Sequence, residues 1–177
     1  FPFKRFTAEL NDGTVLEISG AQQLSEALQY SPTPGLPRLV AHLRDLQLRE
    51  HKPPSGEARL CVTTGSADAL GKAFEMLIEP GDNVLVANPT YSGSLAFLQP
   101  LGAKLVGVPT EGGVFPAELR SILENWDAAQ GPRPRILYTI PTGSNPTGES
   151  LSEMQKAAVY AVAQDYNLLI LEDDPYY

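Results

Sequence analysis

The sequence predicts an α/β protein, a three-layer sandwich built on a mostly parallel central sheet. Three observations carry this. From Leu60 onward, short apolar runs alternate with amphipathic helical runs across turns of a few residues, the pattern that strand-helix-strand units require. The apolar runs, such as Asn83 to Ala87, lack polar alternation, as strands covered on both faces should. The 177 residues, 42% of them apolar, suffice for one real core.

The elements follow in order. Thr14 to Ile18 alternates weakly after the Asn11-Asp12-Gly13 turn and reads as a short strand. Leu24 to Leu28 is a short amphipathic segment. After the Pro/Gly loop from Tyr30 to Pro37, apolar residues recur at helical spacing, so Pro37 to Glu50 reads as a helix with proline in its first turn. Leu60 to Thr63 reads as a strand and Ala67 to Ile78 as a helix ended by Pro80-Gly81-Asp82. Strands are expected over Asn83 to Ala87, Lys104 to Val108, Arg135 to Ile140 and Leu168 to Leu171. Helices are expected over Ser92 to Leu101, Pro116 to Asn125 and Ser152 to Asp165, with a polar loop from Asp127 to Arg135.

Composition excludes several classes. A formal net charge of -8 argues against a non-specific nucleic-acid binder. It leaves room for a small anionic ligand held by local charge and backbone N–H groups. Cys61 is the only cysteine, so no internal disulfide and no cysteine-rich metal site is expected, and His42 and His51 are too isolated to suggest a metal centre. No stretch reaches membrane-spanning length and no targeting segment is visible. The chain starts at Phe1 rather than Met and stops just after a strand, which reads as a piece of a larger protein.

Four turns rich in special residues are expected at the carboxyl ends of strands, where ligands of α/β sheets bind. In Thr64-Gly65-Ser66-Ala67, Ser66 and the first N–H groups of a helix suit a phosphate, or Ser66 simply caps the helix. Tyr91, after Asn88-Pro89-Thr90, can stack on a planar ligand or act as a packing aromatic. Asn145, within Gly143 to Gly148, can donate to an oxygen anion or serve as a turn residue. The last strand runs into Glu172-Asp173-Asp174-Pro175-Tyr176. Carboxylates there need a cation or strong donors. A protonated ring nitrogen would satisfy Asp173 while the Tyr176 hydroxyl meets an oxygen on the same ring; an Arg or Lys elsewhere in the protein is the other possibility. Together these groups match a phosphorylated heterocycle with a basic nitrogen and a phenolic oxygen, which is pyridoxal 5′-phosphate.

The same passages carry a resemblance. The Tyr30 to Pro37 loop, Thr63 to Ser66, Glu79 to Asn83, Asn88 to Gly93, Asn145 to Gly148 and Glu172 to Tyr176 occur in the order found in class I aminotransferases. The chain therefore resembles the large domain of these fold type I pyridoxal-phosphate enzymes. Phe1 to Lys4, Leu28 to Pro32 and Glu172 to Tyr177 resemble the kynurenine/alpha-aminoadipate and yeast-type aromatic branch.

The resemblance implies that Ser66 and the backbone at Ala67 hold the cofactor phosphate and that Tyr91 stacks on the ring. It implies that Asn145 and Tyr176 hydrogen-bond the 3′ oxygen and that Asp173 pairs with the pyridine nitrogen. Tyr30 would reach the cofactor or substrate of a neighbouring subunit, giving a homodimer with shared active sites. Ala67 departs from the longer polar residue of close relatives. The Schiff-base lysine and two arginines of the family would lie downstream of Tyr177; Lys104, opening a strand, and Lys156, on a surface helix, are no substitutes. Residues 1–50 would be an N-terminal segment and interface loop, and residues 51–177 an incomplete cofactor-binding domain. The implied activity is transamination between an amino acid of the kynurenine or 2-aminoadipate type and a 2-oxo acid, 2-oxoglutarate, in the full-length enzyme, in a cytoplasmic or mitochondrial compartment. Alternatives are another pyridoxal-phosphate reaction at Cα or Cβ on the same scaffold, or an inactive truncated paralogue.

Overall fold

The computed structural model describes residues 2–56, 59–113 and 115–177. Phe1, the first residue of the Phe1 to Lys4 motif, lies outside them. The chain divides into two compact units, one ending at Thr63 and the other running from Thr64 to Tyr177.

The first unit opens with an antiparallel hairpin, β1 (Arg5–Glu9) and β2 (Val15–Ser19), in register Arg5 with Ser19 and Glu9 with Val15. The Asn11-Asp12-Gly13 turn closes it: Asp12 Oδ1 accepts the Thr14 N–H at 2.9 Å, and Gly13 takes φ +82°. The β1 strand was not expected, since Arg5 to Glu9 carries little apolar pattern of its own. Two helices follow, α1 (Ala21–Leu28) and α2 (Pro37–His51), the latter with Pro37 in its first turn and ending at Lys52 in the left-handed region. Leu24 is the buried hydrophobic residue of this unit among those described.

The expected strand over Leu60 to Thr63 does not form. Apolar, β-branched residues favour an extended chain, but a strand needs a neighbour to complete its ladder, and no described strand pairs with this segment. Consequently the Thr64-Gly65-Ser66 turn opens a helix without following a strand.

The second unit is the expected sandwich. It contains α3 (Ser66–Leu77), β3 (Asn83–Asn88), α4 (Ser92–Leu98), β4 (Lys104–Pro109), α5 (Phe115–Glu124), β5 (Ile136–Thr139), α6 (Glu153–Tyr166) and β6 (Leu169–Glu172). The four strands form one parallel sheet in the order β4-β3-β5-β6. The first and last expected strands of this unit therefore share a sheet. Alternation along each strand sorts the core into two layers. Val84, Val86, Ile136, Tyr138 and Leu171 pack with Leu70, Phe74 and Leu98 of α3 and α4. Leu85, Ala87, Leu137, Val108 and Ile170 pack with Phe115, Leu119, Val159 and Val162 of α5 and α6. The inner strands β3 and β5 are buried along nearly their whole length, while the outer strands β4 and β6 are only partly so.

Chain order fixes where a ligand fits. From β3 the chain moves outward to β4 through α4, then returns past β3 to β5 through α5, and moves outward the other way to β6 through α6. The direction reverses between β3 and β5, so their carboxyl ends flank a topological switch point. The loop after β5 ends at a capping box: Ser152 Oγ accepts the Gln155 N–H, and Gln155 Oε1 accepts the Ser152 N–H at 2.9 Å.

Candidate functional site

Three of the expected site segments leave the carboxyl ends of β3, β5 and β6. Tyr91 follows β3 and immediately precedes α4. Its ring lies against the α-carbon of Gly93, where a Cβ would overlap it, and the ring remains 36% exposed. The Tyr91 carbonyl accepts the Ser94 hydroxyl at 2.6 Å, and Ser94 is fully buried.

Asp173 lies one residue beyond β6. Its N–H donates to the Thr139 carbonyl at 3.0 Å, which extends the β5–β6 ladder by one step. Asp173 is two positions beyond Leu171, and its carboxylate comes to the α3/α4 face, where the Tyr138 hydroxyl donates to Oδ2 at 2.9 Å. Asp173 is only 8% exposed. Its other oxygen, Oδ1, takes no hydrogen bond from the described residues. Burial pushes the Tyr138 hydroxyl pKa well above its usual 10; a hydrogen bond with Ser94 opposes this and Asp173 reinforces it. Tyr138 is therefore a neutral, permanent donor. The adjoining Asp174 keeps Oδ1 buried without a hydrogen-bond partner among the described residues.

Asn145 sits in the loop after β5, half-buried, and its side-chain amide makes no hydrogen bond among the described residues. Gly143, at φ +56°, lies beneath the Tyr176 ring, and a Cβ there would stand 3.6 Å from it. The close approach brings the β5 loop and the segment after β6 together. Tyr176 is 57% exposed, and its hydroxyl, like the Asn145 amide, makes no hydrogen bond among the described residues.

Ser66 opens α3 but does not cap it: the cap position is Gly65, at φ +95°, with no side-chain cap. The capping alternative for Ser66 is thereby removed. Ser66 and Ala67 are exposed at the helix start. Asp68 in the first turn accepts the Thr64 N–H at 2.9 Å and pairs with Lys72; Lys72 first and the Thr64 N–H second hold its carboxyl below the usual carboxylate range. The α3 helix reaches the rest of the cluster through Phe74, whose ring meets Tyr138 edge-on at 5.6 Å.

The second unit thus ties Tyr138 to Asp173 and Ser94 to the Tyr91 carbonyl, and brings Tyr176 against the Asn145 loop at Gly143. Tyr30 belongs to the first unit, where its side chain is fully exposed. Tyr138 and Ser94 escaped the sequence reading. The signal for Tyr138 was present, since a tyrosine inside the apolar run Ile136 to Ile140 needs a partner for its hydroxyl.

A cavity of about 300 Å³ lies on the other face of the sheet, lined by Ala87, Phe115, Thr139 and Gln155 among others. Tyr138 and Asp173 do not line it, and its walls offer no buried charge.

These groups fit pyridoxal phosphate. Asp173 keeps one oxygen open beside a fixed one, Asn145 and Tyr176 keep donors open, and α3 has no side-chain cap at its N-terminus. The family model for aminotransferase class I and II matches residues 3–177, and the chain belongs to this family. It is 42% identical over a 190-position alignment to the mitochondrial kynurenine/alpha-aminoadipate aminotransferase of Bos taurus, covering 100% of this chain and 44% of the relative. Aminotransferase tdiD of Emericella nidulans is 36% identical, over 100% of this chain and 42% of its own length. The chain thus spans less than half the length of these curated relatives. Among solved structures, aminotransferase Aro8 from Candida albicans superposes with a TM-score of 0.89 at 31% identity, covering 99% of this chain and 41% of that one. LysN, the alpha-aminoadipate aminotransferase of Thermus thermophilus, complexed with N-(5′-phosphopyridoxyl)-L-leucine, gives 0.70 at 30% identity, covering 85% and 36%.

Proposed function

We propose that the chain forms most of the cofactor-binding part of an enzyme that transfers an amino group from an aromatic or dicarboxylic amino acid, of the kynurenine or 2-aminoadipate type, to 2-oxoglutarate. The cofactor is pyridoxal 5′-phosphate. One observation supports this above the others: Asp173 is a buried carboxylate at the carboxyl edge of the sheet, with one oxygen held by Tyr138 and the other without a hydrogen bond among the described residues. An ionised carboxylate in such a place calls for a cationic partner, and a protonated ring nitrogen is one.

The residues divide the work. Ser66 and the first N–H groups of α3 hold the phosphate, with Ala67 contributing only its backbone. Tyr91 covers one ring face. Asn145 and Tyr176 donate to the 3′ oxygen. Asp173 accepts the ring N–H and keeps that nitrogen protonated. Bound in this way, the cofactor supplies an electron sink for charge developing at the substrate Cα. Tyr30 acts in the site of a second subunit, and its full exposure on a Pro/Gly loop suits that reach. In this arrangement residues 1–50 are the interface segment and residues 51–177 an incomplete large domain.

The test is an assay of the full-length protein with kynurenine and 2-aminoadipate against 2-oxoglutarate, beside the 177-residue chain alone. Turnover of at least one donor is expected from the former and none from the latter. Turnover by the chain alone, or none by the full-length protein with any amino acid, rejects the proposal.

A further inference from the structure

We propose that Tyr138 is a positioning residue, one that orients the Asp173 carboxylate toward the ring nitrogen through the hydrogen bond from its hydroxyl to Oδ2. The proposal rests on the reading of Asp173 given above.

Tyr138 is fully buried at the centre of β5, and Asp173 is nearly so. Its ring cannot swing away: Phe74 packs against it edge-on from α3, and Val84, Val86 and Leu98 share its layer. Its hydroxyl hydrogen is committed to Asp173 Oδ2 at 2.9 Å. The buried Ser94 hydroxyl also meets the Tyr138 hydroxyl, and it gives its own hydrogen to the Tyr91 carbonyl at 2.6 Å.

A free carboxylate after a strand end rotates about χ2, and only some orientations aim a lone pair at a nitrogen. Holding Oδ2 removes that freedom and leaves Oδ1 as the acceptor. The donor is also permanent, because the high hydroxyl pKa keeps the proton on oxygen at physiological pH. Hydrogen bonds to ionised groups are among the stronger ones, so loss of this one should be measurable at the nitrogen.

The test is a double-mutant cycle on Tyr138→Phe and Asp173→Asn in the full-length protein. The readouts are the affinity for pyridoxamine 5′-phosphate, which needs no covalent lysine bond, and the 15N chemical shift of its labelled ring nitrogen. With Asp173 present, Tyr138→Phe is expected to weaken binding about tenfold and move the shift toward the unprotonated form. In the Asp173→Asn background the same change is expected to cost less than about twofold. Ser94→Ala should follow the same pattern more weakly, and it decides the matter if Tyr138→Phe does not fold. Equal losses in both backgrounds mean a packing role and overturn the proposal, as does no loss in either. An Asp173→Asn single variant with unchanged affinity and shift overturns the reading of Asp173, and this proposal with it.

Discussion

The ring of Tyr91 occupies the space that a side chain at Gly93 would need. Tyr91 reaches this position because α4 starts directly after it and the residue two further on carries no Cβ. Glycine here makes room for the ring rather than serving an unusual φ, since position 93 does not take a left-handed backbone.

Gly93→Ala is therefore expected to displace the Tyr91 ring and weaken cofactor binding with little change in the fold. A roughly tenfold rise in the dissociation constant for pyridoxamine 5′-phosphate is the expected scale, about one aromatic contact in worth. Fluorescence titration would measure it. Unchanged affinity would mean that Tyr91 does not cover the ring.

Tyr138 also makes a claim about pH. Its folded-state pKa is raised, chiefly by burial, so the stability it contributes is fully present below the unfolded value of about 10 and is lost as pH rises beyond it. Denaturant unfolding of the full-length apoprotein, followed from about pH 8 to 11, should show stability falling above pH ~10, and falling less steeply in Tyr138→Phe. The same slope in both proteins would mean that another tyrosine carries the alkaline transition.

Leu137 fills the α5/α6 layer and is fully buried. Leu137→Ala should destabilise the second unit by about 2–5 kcal/mol through lost burial and the cavity left behind. Urea unfolding of the full-length protein provides the measurement. A cost below about 1 kcal/mol would contradict the assignment of Leu137 to a closed core layer.

Tyr30 tests the shared site. Mixing Tyr30→Phe subunits with subunits lacking the active-site lysine should produce hybrid dimers whose activity differs from either parent. If the Tyr30 defect always stays with the lysine of its own chain, Tyr30 serves its own subunit.

Much of the second unit was legible because its strands and helices differ in period and its turns carry Gly, Pro, Asn and Asp at their junctions. Asn83 to Ala87 and Ser152 to Asp165 are read directly from such patterns, and within a residue at either end they form β3 and α6. Local pattern misleads where an element depends on a distant partner. Leu60 to Thr63 has a strand's composition and no strand beside it among the described residues, whereas Arg5 to Glu9 lacks the composition and becomes a strand because β2 folds back on it. For the candidate site, sequence offered Ser66, Tyr91, Asn145, Asp173 and Tyr176. Its supports were not legible. Ser94 and Tyr138 lie in different elements, and only the pairing of β5 with β6 brings the Tyr138 hydroxyl to the carboxylate. Ser94 in particular looks like an ordinary first-turn serine until its burial is known.

The central claim is that Asp173, rather than Asp174, keeps the ring nitrogen protonated. The two carboxylates are adjacent in sequence, and Asp174 has its own buried, unpartnered oxygen, so the choice between them is a real one. Single-turnover kinetics of the Cα proton transfer, with saturating cofactor in the full-length enzyme, separates them. Asp173→Asn keeps the size of the side chain and removes its charge. It is expected to slow that step by about 100-fold or more, the scale of one well-placed electrostatic contact in a transition state. Asp174→Asn is expected to slow it only a few-fold. Equal and small effects from both substitutions would contradict the account, because neither carboxylate would then be the partner of the ring nitrogen.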